Sequence, residues 1–183
     1  MPRYIVLVGL MGSGKSAVAR RLVTAGIALL DTDRLVEKSS GRTVREMFAD
    51  MGEESFREVE TRVLGECLSH PGRAVIAAAG GVVTREANRS ALNDSRTKGE
   101  SWVVWLDTDT EELVRRVAKG AHRPLLDGDP SGTLGRLATE RRSMYEEVAD
   151  VRIDTTGRSL DQVTADVLAA YSSRFGNWGA TNG

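Results

Sequence analysis

A short apolar run, Tyr4-Ile5-Val6-Leu7-Val8, leads straight into Gly9-Leu10-Met11-Gly12-Ser13-Gly14-Lys15-Ser16, after which the pattern turns helical. No other feature of the chain limits its folding as much. The eight residues fit G-x-x-x-x-G-K-[ST] in full, and the run before them reads as a buried strand. The glycines leave room for phosphate oxygens near the backbone. Successive N–H groups then make an anion nest at a helix start, where the dipole also favours negative charge. Lys15 is expected to reach the outer phosphates and the Ser16 hydroxyl to bind Mg²⁺. Met11, Gly12, Ser13, Gly14, Lys15, Ser16 and the following Ala17 are therefore the expected nucleotide-phosphate site. The alternative is a glycine-rich turn with an exposed lysine. A chance match in a chain this long is on the order of one in a hundred, and the strand-to-helix setting lowers it further.

The rest of the chain repeats the strand–helix alternation. Strand patterns recur at 27–30, 74–78, 102–106 and, more weakly, 151–154. Helical patterns fill 16–25, about 35–68 with breaks near Gly41 and Gly52, 86–92, 110–118, 133–147 and 160–171. Such alternation predicts an α/β fold with a mostly parallel sheet covered on both faces. Ligands in such folds sit at the carboxyl ends of the strands. The phosphate loop, Asp31-Thr32-Asp33 and Gly80-Gly81 each follow a predicted strand, so three elements should converge on one sheet edge.

Length and composition set the remaining bounds. With 183 residues the chain suits one domain, taken as 1–171. The polar, glycine-rich stretch at about 120–132 reads as a mobile lid, and 172–183 as a frayed tail. Charge is balanced, 25 Lys plus Arg against 26 Asp plus Glu, which gives no general pull toward nucleic acid. Cys67 is the sole cysteine, so neither an internal disulfide nor a cysteine metal cluster can form. A reducing cytoplasm is the natural setting. No stretch approaches a membrane span, and the apolar start is too short for a signal peptide.

Asp31 and Asp33 stand two apart at the end of an extended run, where i and i+2 share a side. Both are expected to face the cleft, one ordering the water shell of Mg²⁺ and the other taking a proton from an acceptor hydroxyl. Alternatively, one of them only caps the following helix. Arg123 lies in the expected lid, where an arginine can stabilise a transferring phosphoryl group, and Arg141 lies in the next helix. Arg57 alone reads as an ordinary helical partner of Glu54 or Glu60 on a solvated face. Gly80-Gly81 is either a tight turn or a backbone surface open to a substrate. His70 is expected in an exposed turn and His122 near the lid, neither with a role. Trp102 and Trp105 read as core, and Trp178 as part of the tail.

Together these residues resemble the shikimate kinases, a branch of the nucleoside-monophosphate-kinase-like P-loop enzymes. The likeness covers about residues 4–171. It rests on GLMGSGKS, on LLDTD ending at Asp33, and on F-x-x-x-G-E-x-x-F-R-x-x-E from Phe48 to Glu60. Gly80-Gly81, RPLL from Arg123 and R-x-x-x-Y-E-E-V-A from Arg141 complete it. The resemblance implies a five-stranded parallel sheet in the order 2-3-1-4-5 with a lid. It implies transfer of the γ-phosphoryl group of ATP to shikimate, with ATP/ADP and shikimate as partners, Mg²⁺ as cofactor and a monomeric state. Asp33 would be the base, with Lys15 and Arg123 on the transferring group and Asp31 supporting the metal through water. Arg57, Arg141, Gly80 and Gly81 would hold the shikimate carboxylate. Arg116 would stack on adenine, with Arg158 as a second adenine residue.

Two positions depart from the family pattern. Ala79 replaces the first of three glycines and is unstrained only if its φ is below zero. Ser143 replaces a proline two residues after Arg141. Both lie on the acceptor side, so a kinase of another small polyol or sugar acid, such as gluconate, is the same-class alternative. A nucleotide-binding module without turnover would be expected to lack Lys15, Asp33 or Arg123, and none is missing.

Overall fold

The computed structural model describes residues 1–118 and 129–179. Strand β1 (Tyr4–Val8) lies between β3 (Arg73–Ala77) and β4 (Ser101–Asp107), with β2 (Ile27–Asp31) and β5 (Val151–Asp154) at the edges. The order is β2-β3-β1-β4-β5 and every pairing is parallel. All the β1 residues are buried, as a central strand covered on both faces requires. Successive side chains alternate between two cores. Tyr4, Val6 and Val8 join Ala74, Ile76, Val103 and Trp105 on one face. Ile5 and Leu7 join Val75, Ala77, Trp102, Val104 and Leu106 on the other.

Helices α1 (Lys15–Leu22) and α7 (Leu160–Phe175) cover the second face, through Val18, Leu22, Val163, Val167 and Tyr171. The first is covered by α3 (Val44–Leu68), α4 (Glu86–Thr97) and α6 (Pro130–Val148). Helices α2 (Thr32–Ser40) and α5 (Thr110–Ala118) follow β2 and β4 and add Val36 and Leu113 to that core. The breaks expected near Gly41 and Gly52 are present, as the C-cap of α2 and a kink inside α3. The first helix is shorter than its pattern, because Val23 is already extended. Pro130–Gly132 is not lid. It is the first turn of α6, capped by Asp129, which accepts from the Gly132 N–H at 2.9 Å.

The expected frayed tail is also corrected. Helix α7 runs to Phe175, and beyond it Trp178 is only 1% exposed. Its Nε1 donates to Leu22 O at 3.0 Å, and its own carbonyl accepts from Arg73 Nη2 at 2.6 Å. The Arg73 guanidinium sits 4.3 Å from the ring centroid, and Tyr171 meets the indole edge-on at 5.1 Å. The anchors lie on α1 and β3, far away in sequence, so local composition carried no sign of them. Residues 180–183 lie outside the described residues.

The indole should therefore matter to stability. Trp178→Ala is expected to lose about 3–5 kcal/mol, as for a large aromatic deleted from a core. Trp178→Phe should lose less, mainly the Leu22 bond at about 1 kcal/mol. Urea unfolding checks both, and an unchanged midpoint for Trp178→Ala would place this segment outside the cooperative core.

Candidate active site

The loop between β1 and α1 is built by its glycines. Gly9 has φ 142°, and a Cβ there would overlap the Leu106 carbonyl. Gly14 is the N-cap of α1 with φ 97° and no side-chain cap, so the first N–H groups of the helix stay available for an anion. Lys15 is buried, and its Nζ donates to Gly9 O at 2.8 Å and Leu10 O at 2.9 Å. The ammonium thus lies across its own loop. Ser13 is buried, and its hydroxyl has no hydrogen-bond partner among the described residues. Ser16 and Ala17 occupy the first turn of α1, while Met11 and Gly12 are half-buried in the loop. A Cβ on Gly12 would come within 3.1 Å of Val117, so α5 closes this side of the loop.

The two aspartates are not arranged as the strand rule suggested. Asp31 ends β2 and is the N-cap of α2, accepting from Arg34 N at 3.4 Å. Asp33 stands exposed in the first helical turn. The strand stops because Asp is a strong N-cap, so the i, i+2 argument lapses at the boundary. Between them Thr32 is buried and accepts from the Ala79 N–H at 2.9 Å. The end of β2 is thereby tied to the loop after β3.

That loop is where the residues expected to hold the acceptor, Arg57, Arg141, Gly80 and Gly81, meet. Arg57 (α3) and Arg141 (α6) are each only 6% exposed, so Arg57 is not on a solvated face. Its i+3 partner is Glu60, 2% exposed, bound at 2.8 Å. Glu53 adds a bond to Arg57 at 3.1 Å, while Glu54 pairs instead with Arg85. Burial works against the Arg57 charge, but Glu60 and Glu53 outweigh it and hold the guanidinium above its ordinary pKa. Burial raises the Glu60 carboxyl against the pull of Arg57. Asp33 adds to that rise and Arg141 opposes it, so all four groups share one electrostatic field.

Gly80 and Gly81 lie within this group. The Gly80 carbonyl accepts from Arg141 Nη1 at 2.9 Å and from the Tyr145 hydroxyl at 2.6 Å. Burial drives the Tyr145 phenol well above its ordinary pKa, so it stays a donor. A Cβ on Gly80 would come within 3.1 Å of Met11 N, so the two loops abut. A Cβ on Gly81 would overlap the Arg57 guanidinium. No described residue other than glycine has a positive φ, so Ala79 is unstrained. Ser143 is exposed in an unbroken α6, and Arg141 is held on Gly80 with serine at that position.

The remaining candidates lie apart from the acceptor group. Arg116, near the end of α5, bonds Glu112 and Thr155, and Arg158, after β5, pairs with Asp166. Arg123 and His122 lie outside the described residues. His70 is half-buried rather than exposed, and its carbonyl accepts from Tyr4. Sequence reasoning missed Thr32, Tyr145 and Thr155. Tyr145 had a usable signal, since it stands four residues after Arg141 on the same helix face.

A sheet of this order with a phosphate loop after its central strand is that of the P-loop kinases, and this chain is one of them. The family model described as shikimate kinase matches residues 11–172, and the chain belongs to the shikimate kinase family. A shikimate kinase of Symbiobacterium thermophilum is 48% identical over 93% of this chain and 97% of its own length. One of Corynebacterium efficiens is 41% identical over 90% and 94%. Among solved structures, the Acinetobacter baumannii shikimate kinase in complex with shikimate superposes with a TM-score of 0.85, at 33% identity and 96% coverage of both chains.

The contact between Gly81 and Arg57 gives a direct test of the acceptor side. Gly81→Ala should displace the guanidinium and raise the acceptor KM about tenfold or more, as for a lost charged hydrogen bond, with little effect on the ATP KM. Steady-state kinetics in both substrates check this, and an unchanged acceptor KM would mean that Arg57 does not hold the acceptor.

Proposed function

We propose that this protein is a shikimate kinase, transferring the γ-phosphoryl group of ATP to the 3-hydroxyl of shikimate. The products are shikimate 3-phosphate and ADP, on the way to chorismate and the aromatic amino acids. The observation that carries this reading is the wall made by Arg57, Arg141 and the Gly80-Gly81 loop against the phosphate loop. Two buried guanidiniums there face one buried carboxylate, Glu60, an arrangement suited to an acceptor that brings a carboxylate of its own.

In this reading ATP lays its phosphates along residues 11–17. The unpartnered Ser13 hydroxyl and the open N-terminus of α1 are suited to phosphate oxygens. Asp33 takes the proton of the acceptor hydroxyl, whose oxygen forms a bond to the γ-phosphorus as the bond to the β–γ bridging oxygen breaks. Lys15 leaves the Gly9 and Leu10 carbonyls for the transferring group and is joined by Arg123. Arg57 and Arg141 orient the acceptor by its carboxylate, which fixes the hydroxyl near Asp33. Arg116 and Arg158 serve the adenine end.

Bound Mg²⁺ would neutralise charge on the β- and γ-phosphates. The Ser16 hydroxyl would hold it directly and Asp31 through water. This donor set fits, because Mg²⁺ takes few protein oxygens and keeps several waters. Among the described residues no group of three or more His, Cys, Asp or Glu is placed to hold a metal, and this ion needs none. Among the same residues the exposed large hydrophobic side chains are Met1 and Leu29, which supports a monomer. No helix is long and apolar enough to cross a membrane. The single, buried Cys67, whose thiol burial pushes up to about 11, suits a reducing cytoplasm.

ADP release with Mg-ATP should be fast with shikimate and absent with gluconate or no acceptor. Turnover with gluconate alone would move the reading to a sugar-acid kinase. Asp33→Asn should keep ATP binding and lower kcat by about 100-fold or more. Near-normal turnover in that variant would remove Asp33 from the role of base.

A further inference from the structure

Each nitrogen of the Arg116 guanidinium has a protein partner. Nε donates to Glu112 Oε1 at 2.8 Å, Nη1 to Thr155 Oγ1 at 3.1 Å and Nη2 to the Thr155 carbonyl at 2.7 Å. The partners are themselves fixed. Thr155 is 1% exposed, and its hydroxyl shares a 2.7 Å bond with the buried Thr108 at the end of β4. Thr155 N donates to Asp107 O at 2.8 Å, and its carbonyl also accepts from Arg158 N at 3.2 Å. Glu112 gives its other oxygen to Arg115. An arginine that meets phosphate does so through its in-plane fork of donors. Here three of the five N–H donors are taken, one on each nitrogen, with Thr155 across the two Nη groups and Glu112 on Nε, so neither two-donor fork is left whole and what the group offers a ligand undivided is its flat face. A guanidinium face stacks on a nucleobase and gains cation–π attraction, whichever base it is.

We propose that Thr155 and Glu112 are positioning residues that present Arg116 as a plate for the nucleotide base and not as a fork for phosphate. This rests on the reading of Arg116 as the residue at the adenine end. Holding the plate before the nucleotide arrives removes the ordering cost of a long side chain from binding. It also means that Arg116 adds affinity for a purine without selecting between purines.

Calorimetry with Mg-ADP, Mg-GDP and inorganic tripolyphosphate tests the proposal. Arg116→Ala should weaken ADP and GDP by a similar factor, about tenfold, and leave tripolyphosphate unchanged. Thr155→Val and Glu112→Ala should each weaken ADP by about three- to tenfold through the loosened plate. In kinetics the change should fall on the ATP KM and not on the shikimate KM, and Thr155→Ser should restore the wild-type value. Glu112 is half-buried, not in the core like Thr155, so its variant carries the test if Thr155→Val does not fold. Equal weakening of tripolyphosphate and ADP by Arg116→Ala would overturn the plate, because Arg116 would then be a phosphate residue. ADP binding that falls in Arg116→Ala but holds in both other variants would overturn the positioning roles alone. Unaltered ADP binding in Arg116→Ala would overturn the adenine reading itself.

Discussion

The site depends on one close approach, that of the Gly80 backbone to the phosphate loop at Met11 N. It sets the distance between the phosphate loop and the group of Arg57, Arg141 and Gly80-Gly81 that we propose holds the acceptor. Parallel pairing of β1 and β3, from Tyr4 opposite Ala74 to Leu7 opposite Ala77, brings both loops to the same edge of the sheet. Side chains then fix the Gly80 loop from three directions. Thr32 takes the Ala79 N–H, Arg141 and Tyr145 share the Gly80 carbonyl, and Arg57 fills the space beside Gly81. Every buried polar group in this set has a partner, which is the condition for such a network to stiffen a site.

Arg57 and Glu60 show why the proposed acceptor binding and stability are hard to separate here. Removing one member of a buried ion pair typically costs about 3–5 kcal/mol, because the other charge is left uncompensated. A truncation of Arg57 would mix loss of binding with loss of fold. The raised Glu60 carboxyl has a further effect. Its charged form is disfavoured by burial and favoured by two arginines, so an incoming anion that draws on those arginines loosens their hold on Glu60. In the proposed function, anion binding at these arginines would therefore favour the neutral form of Glu60.

Much of this was legible in the sequence, and the failures have physical causes. The parallel sheet and the phosphate loop followed from the strand–helix alternation and one motif, and the strand order from the family resemblance. Arg57 showed the limit of local reading: its spacing to Glu60 identified the partner, but burial of the pair depends on α6 and the Gly80 loop, which no local window contains. Asp31 and Asp33 straddle an element boundary: the period-two rule ends with the strand at Asp31, two residues before Asp33, and Asp31 takes the capping role that was the alternative. Trp178 failed because its anchors, Leu22 and Arg73, are distant in the chain. Thr155 was hidden for the same reason, since a threonine after a strand means nothing until an arginine from another helix rests on it.

The Trp178 contact also places the carboxyl end of the described chain. Its carbonyl is held by Arg73, the first residue of β3, and β3 starts beside the first residue of β1. The Trp178 carbonyl is thus held at the end of the sheet where β1 and β3 begin, away from the phosphate loop that follows the other end of β1. A group attached beside Trp178 would therefore stand at the amino ends of the strands, on the far side of the sheet from the phosphate loop.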